Sequence, residues 1–343
     1  MKVNQFPDRI ITADTEEYLY FGGTSYLGLP ANTAFQQLLI KNIMQWGTAY
    51  GSSRSANIQL AAYENGEQFL ADYIKAEATL TVSSGMLAGK LVIEALTPKT
   101  DRFFHFPDSH PAIKAPNSEP FFIENQLNPR LLDSKPERIT ILTDAVPSLQ
   151  VNPIALEIIH SISTYKEITL VIDESHSLGI LGEYGAGIFS EINLQNIKRK
   201  IMVASLGKAF GLTGGVIASD FGFINEMANH DTFVSSAGMN AAFVQTIADA
   251  KELYYSQNHK LKENLNYINL HLIKNKKLHF NPNYPLIYPH IEGINEIFSS
   301  NKIIVTHFKY PTDTKDLNRI VITANHKKED LDKIIHILNQ TQF

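Results

Sequence analysis

Cysteine is wholly missing from the 343 residues. Disulfide bridges, zinc–thiolate centres and cysteine nucleophiles are therefore excluded, and any covalent chemistry falls to other side chains. Long apolar runs are missing too. No stretch reaches the length that a bilayer-crossing helix needs, and the opening MKVNQFPDRIITADTEE lacks the apolar segment of a secretory signal. Nor is there an excess of positive charge. Lys and Arg number 30 against 35 Asp and Glu, a formal net charge of −5. The basic residues are dispersed, so neither a nucleic-acid groove nor a membrane-facing basic patch is expected. Without repeats or low-complexity segments, the chain reads as a cytoplasmic globular protein. Its 44% hydrophobic content suits a large core and two domains.

EYLYFG (residues 17–22) reads as a short strand in an N-terminal arm, and residues 33–46 and 63–75 carry apolar side chains at helical spacing. From about residue 79 short apolar runs (TLTVSS, FFHF, RITILTD, ITLVID, IMVAS, GGVIAS) alternate with helical stretches, among them MLAGKLVIEAL and PIALEIIHSISTYK. That alternation predicts an α/β domain whose mostly parallel sheet is covered on both faces. A long helix is expected from about Asn240 to Asn275, followed by an α+β segment containing KIIVTHF, NRIVITA and the helix LDKIIHILNQ. The boundaries so drawn are an arm over 1–30, a large domain over 31–240, and a linking helix with a small domain over 241–343.

In a parallel sheet, ligands bind beyond the carboxyl ends of the strands, so the residues after each run matter most. Gly85 and Met86 follow TLTVSS and open a helix. His110 follows FFHF. Thr143, Asp144 and Ser148 follow RITIL; Asp173 and His176 follow ITLVI; Ser205 and Lys208 follow IMVA. Singly, a serine or aspartate there is an ordinary helix cap, and a lone histidine is more often a hydrogen-bonded core residue. Lys208, in VASLGKAFGLTGG (residues 203–215), stands between a buried-looking strand and a glycine-rich turn. Partial desolvation there favours the neutral, reactive amine, although a snorkelling lysine gives the same pattern. Jointly the set meets the needs of pyridoxal phosphate. That cofactor requires an amine for its aldehyde, a carboxylate for its pyridine nitrogen, a helix start with hydroxyls for its phosphate, and a flat group against its ring. Lys208, Asp173, Gly85-Met86 with Ser205, and His110 fill those places.

Four segments resemble the α-oxoamine synthases, pyridoxal-phosphate enzymes of the aspartate-aminotransferase fold (fold type I). They are YLGL (26–29), VSSGMLAG (82–89), VIDESHSLGILGEYGAG (171–187) and SLGKAFG (205–211). The resemblance runs from about Tyr18 to Leu338. It implies a seven-stranded, mostly parallel sheet in the large domain and a smaller α+β C-terminal domain. It also implies that Lys208 bonds the cofactor and later moves the α-proton, that Asp173 pairs with the pyridine nitrogen, that His110 stacks on the ring, and that His176 bonds the ring's phenolic oxygen. Ser205 and the Gly85-Met86 amides would hold the phosphate; Ser148 joins the cofactor site. Ser236, in FVSSAG, would reach the phosphate of a neighbouring subunit, so a homodimer with shared sites is implied. Arg319, in NRIVITANHKKEDLD, would grip the amino-acid carboxylate.

The implied reaction condenses a small amino acid with an acyl thioester carried on CoA or an acyl carrier protein. An aminotransferase or another pyridoxal-phosphate reaction on the same scaffold, such as C–C cleavage, is the alternative, and an inactive partner subunit a further one; the retained Lys208 argues against the last. Departures from the family pattern cluster where the substrates would sit. Thr24-Ser25 replaces the asparagine before YLGL, Tyr63 replaces a histidine, DAVPSLQVN (144–152) loses two acidic residues, AGMN (237–240) replaces S-L-P-P, and the basic N-terminal extension is nearly absent.

Overall fold

The computed structural model describes residues 1–13, 15–308 and 317–341. They fall into two units, Ala34–Lys251 and a second built from Met1–Thr33 with Glu252–Phe343.

The first unit is organised by a seven-stranded sheet, its strands labelled here in chain order: β1 (Ala78–Val82), β2 (Arg102–His105), β3 (Glu119–Pro120), β4 (Glu137–Asp144), β5 (Lys166–Asp173), β6 (Ile197–Ser205) and β7 (Gly215–Ser219). Across the sheet the order is β1-β7-β6-β5-β4-β2-β3. All neighbours are parallel except β7, which runs antiparallel to both β6 and β1. The expected mostly parallel α/β sheet is thus present. Apolar runs predict it because both faces are covered: every residue of Ile139–Asp144 is buried, as are Leu170–Asp173.

Three helices of this unit were legible in advance. Helix α1 is Thr33–Trp46, α2 is Ala61–Ile74 and α3 is Gly85–Leu96. In α3 the hydroxyl of Ser84 accepts the Leu87 amide at 3.1 Å, which fixes the helix start. Ala88, Leu91, Val92, Ala95 and Leu96 recur at helical spacing and are buried, packing against Val82, Val203 and Ile217 of the sheet.

Two expected helices differ from the structure. PIALEIIHSISTYK holds only a 3-10 turn, Glu157–Ser161, before β5 begins at Lys166. Its backbone finds partners elsewhere: the Ile154 amide bonds the Ala145 carbonyl and the Ser163 amide bonds the Leu131 carbonyl, both at 2.9 Å. The β-branched and hydroxyl residues there give the helix little propensity to oppose this. The long helix expected over 240–275 is two, Ala241–Asp249 and Lys251–His271, with the break at the fully buried Ala250. Asn42 holds the end of the first by bonding Thr246 and Asp249.

The second unit carries a six-stranded sheet. Strands Ile10–Ala13 and Glu16–Phe21, expected to form an arm, are built into it beside Ile303–Phe308, Leu317–Val321, Leu286–Pro289 and Leu278–Phe280. His326 joins its parts. The imidazole lies flat on Phe21, with centroids 4.2 Å apart and planes within 9°. Its Nδ1 accepts the Thr323 amide at 2.9 Å, so the proton resides on Nε2, 3.0 Å from the Tyr20 carbonyl. Burial pushes the ring's pKa down to about 4. Since an unfolded histidine protonates near about 6.5, the unfolded chain binds the extra proton first. Stability is therefore expected to be full above about pH 6.5 and to fall as pH drops towards about 4, by up to about 3 kcal/mol from this residue. His326→Asn should flatten that acid limb in urea-denaturation profiles; an unchanged slope would assign the limb to other groups.

Candidate active site

Strands β4, β5 and β6 end together. Asp144 and Asp173 are register partners across β4 and β5, and Val203 partners Asp173 across β5 and β6. Behind them the sheet is dry: Ile201, Met202 and Val203 are fully buried. Beyond β6 the chain turns back on itself before β7. The Leu206 amide bonds the Gly214 carbonyl at 3.0 Å and the Leu212 amide bonds the Leu206 carbonyl at 3.1 Å. Lys208 lies within that turn, half-buried. Gly211, with φ of 71°, supplies the left-handed bend.

A chain of hydrogen bonds runs from the carboxylate to the opposite side of the site. Asp173 Oδ1 accepts the Ser175 amide at 2.8 Å, and the Ser175 hydroxyl accepts the Ser205 amide at 2.7 Å. Against Ser205 stands the start of α3. A Cβ on Gly85 would lie 2.8 Å from the Ser205 Cα, and one on Gly215 would lie 2.4 Å from the Ser84 carbonyl oxygen. Only glycine permits so close an approach. The first-turn amides of Gly85 and Met86, which helix geometry leaves without intrahelical acceptors, are thereby set beside the Ser205 hydroxyl.

His110 follows β2 and is half-buried. Burial lowers its pKa; the Asp173 charge opposes this, while Lys208 and Lys90 add to it. The ring is accordingly neutral near pH 7 and shares one electrostatic environment with Asp173 and Lys208. Its Nδ1 accepts the Ala112 amide at 3.2 Å, which fixes the ring's setting. His176 opens the segment after β5, beside the fully buried Glu174, whose carboxylate bonds the Ser177 hydroxyl at 2.6 Å and the Ile188 amide at 2.9 Å. Ser148 is half-buried on the segment after β4. Ser236 lies just past the short helix Asp231–Ser235, and its hydroxyl donates to the Thr232 carbonyl of its own segment.

Arg319 belongs to the other unit, on strand Leu317–Val321. Its Nη2 donates to the Gly23 carbonyl at 3.4 Å. Phenols surround it. Tyr26 and Tyr284, both buried and hydrogen-bonded to each other, have pKa values raised by burial and opposed by the Arg319 charge, as has Tyr20.

Three contributors escaped assignment from sequence. Ser175 bridges Asp173 to Ser205, Glu174 secures the segment that follows His176, and Asp144 accepts the His110 amide at 3.1 Å. Asp144 closes TILTD as Asp173 closes TLVID, and that parallel was the available signal. Ser175 and Glu174 gave none, since their roles depend on pairing between distant segments.

Pyridoxal phosphate fits these residues. One amine, one carboxylate with an oxygen not taken by Ser175, a neutral imidazole, and a glycine-built helix start with a hydroxyl face one sheet end. Among the described residues no group of three His, Asp or Glu is arranged to hold a metal ion. None of the described helices is long and apolar enough to cross a membrane.

Residues 151–338 match the model of the family described as aminotransferase class I and II. The 8-amino-7-oxononanoate synthase of Petrotoga mobilis is 28% identical, over 94% of this chain and 88% of its own. That of Thermoanaerobacter pseudethanolicus is 29% identical, over 93% and 86%. In fold, the chain superposes on serine palmitoyltransferase from Sphingomonas wittichii with a TM-score of 0.82 at 17% identity, covering 99% and 91%. The 8-amino-7-oxononanoate synthase of Francisella tularensis gives 0.69 at 20%, covering 94% and 97%.

Proposed function

We propose, for a chain that belongs to the aminotransferase class I and II family, that it binds pyridoxal phosphate and joins a small amino acid to an acyl thioester, yielding an aminoketone as an α-oxoamine synthase. The observation that carries this reading is the placing of Asp173, bridged through Ser175 to Ser205, at the carboxyl ends of neighbouring strands that lead into the segment of His176 and the turn of Lys208. The similarity to 8-amino-7-oxononanoate synthases, over 93–94% of this chain, supports the reaction class.

When bound, pyridoxal phosphate supplies an electron sink for a carbanion at the amino acid's α-carbon. The chain's own groups do the rest. Lys208 Nζ is the amine that would bond the cofactor's aldehyde carbon and then take the α-proton. Asp173, with Oδ1 held by Ser175, would keep its other oxygen for the proton on the pyridine nitrogen. His110 offers a fixed ring face, His176 and Ser148 further polar contacts, and the Gly85 and Met86 amides with Ser205 an anion cradle. In the overall exchange the α-carbon bonds the acyl carbon, the carbon–sulfur bond breaks, and the thiol leaves carrying the proton; the 2-amino-3-oxo acid so formed becomes the aminoketone when its carboxylate leaves as carbon dioxide and a proton takes that place on the α-carbon. Arg319 would hold the amino-acid carboxylate through paired N–H donors. Arg319→Ala should raise the amino-acid KM by roughly 10²-fold, in line with a lost charge-assisted pair, and leave cofactor uptake unchanged.

The deciding experiment offers glycine, alanine or serine with thioesters of several chain lengths, on CoA or acyl carrier protein, and follows free thiol. Thiol release coupled to amino-acid consumption supports the reading. Keto acid formation without thiol would replace it with transamination, the reaction that the matched family's description favours.

We further propose a homodimer. On α1, Ile40 and Met44 are 61% and 83% exposed, and Ile58 and Val234 present apolar side chains on the same unit. Surfaces of this kind favour burial against a partner. If Ser236 completes the neighbour's phosphate site, a mixture of Lys208→Ala and Ser236→Ala chains should regain activity, because one composite site is then wholly wild type. Verified subunit exchange without recovery would reject shared sites.

A further inference from the structure

Asp144 has no role in the reaction just described, yet it lies at the centre of the strand ends. It closes β4 where Asp173 closes β5, and the two are Cα partners on adjacent parallel strands. Such strands run about 4.8 Å apart with partner side chains on the same face. Both carboxyl groups are buried, at 4% and 7% exposure. So placed, the Asp144 carboxyl is desolvated and lies against a like charge, and both effects favour its protonated form.

Four groups from three segments act on Asp144. Asp173 comes from β5, Asp108 and His110 from the segment after β2, and Lys208 from the turn after β6. Burial first, and then the Asp173 charge, push the Asp144 carboxyl up to about 8, with the His110 amide and Lys208 acting in the opposite sense. One oxygen of Asp144 already has a task, since Oδ1 accepts the His110 amide at 3.1 Å. The other is left to carry a proton.

We propose that Asp144 is a positioning residue that holds a proton against Asp173, keeping the pair at a single negative charge while fixing the backbone of His110. Its role towards the cofactor rests on the pyridoxal-phosphate reading; the shared proton does not. The pair then meets the pyridine nitrogen with one charge rather than two, and the His110 ring keeps its place beside it. An asparagine at 144 retains one acceptor and one donor, whereas alanine retains neither.

The test uses cofactor-free protein labelled with carbon-13 aspartate and followed by infrared spectroscopy. Wild type should show a protonated aspartic-acid carbonyl band near neutral pH that is lost with a midpoint near 8. Asp144→Asn should lack the band, and in Asp173→Asn the midpoint should fall by about 1–3 pH units as the like charge disappears. Because the band is read first on the wild-type chain, a variant that misfolds does not blunt the test. A wild type with no aspartic acid protonated near neutral pH overturns the proposal, as does a midpoint indifferent to Asp173→Asn. Pyridoxal phosphate titrations, read by fluorescence, supply the second measurement. The dissociation constant should rise at least about tenfold in Asp144→Ala and only about threefold in Asp144→Asn, as expected when one buried hydrogen-bonded group is lost or kept. Equal affinities in all three chains overturn the positioning role. Failure of the wild type to take up cofactor would instead defeat the functional reading and leave the infrared result standing.

Discussion

Replacing Lys208 by alanine is expected to lower turnover by at least about 10⁴-fold, since one side chain is asked both to bond the cofactor and to move the α-proton. No other lysine stands in the same turn, and the strand leading into it is fully buried at Ile201, Met202 and Val203. Borohydride reduction of wild-type protein with pyridoxal phosphate should leave a pyridoxyl group on Lys208, located by peptide mapping, and the variant should take up no such label. The proposed phosphate cradle of Gly85, Met86 and Ser205 is untouched by this change, so the variant should still bind the cofactor reversibly. A pyridoxyl label on a different lysine of the wild type would overturn the assignment of the whole site.

Asp173→Asn is expected to be the next most damaging change, with a loss of about 10²–10⁴-fold. An ion pair at about 4 Å with an effective dielectric near 20 is favourable by about 4 kcal/mol, which corresponds to about a thousandfold in an equilibrium. Asparagine can still accept the Ser175 amide, so the bridge to Ser205 should survive and the fold with it. Loss should therefore appear in exchange of the α-proton, followed by proton NMR in deuterated water, and hardly in cofactor affinity. Near-normal exchange would reduce Asp173 to a structural anchor. The contrast with Arg319→Ala is useful: one change should affect the carbanion step, the other the capture of the amino acid.

Much of this was legible because buried parallel strands write themselves as apolar runs closed by a polar residue. ITLVI followed by Asp173, and IMVA followed by Ser205 and Lys208, locate the sheet edge without coordinates. Helix α3 was equally plain, with a serine cap, a glycine start and an apolar face at helical spacing. Periodicity failed where backbone partners came from far away. The segment at 153–166 looks helical by apolar spacing, yet the Ala145 and Leu131 carbonyls engage its amides. The break at Ala250 is invisible because alanine is the best of helix formers, and the residue that holds the preceding turn is Asn42, distant in sequence. Asp144 was visible as a polar strand end. Its partnership with Asp173 depends on which strands are neighbours, and sequence order alone does not state that.

The antiparallel strand β7 has a consequence for assembly. Strands β6 and β7 form a hairpin around the Lys208 turn, joined by short-range pairing such as Ser205 with Gly215. Strand β1, by contrast, reaches β7 only from the far end of the unit's chain, pairing Val82 with Gly215. Closing so large a loop is entropically costly and slow. The amides of Gly85 and Met86 stand beside Ser205 only when that pairing is made. The cradle proposed for the phosphate therefore requires the β1–β7 pairing, whereas the turn that carries Lys208 requires only the local β6–β7 hairpin. If those amides hold the phosphate, cofactor should by mass action stabilise the chain in which β1 is paired over the one in which it is not.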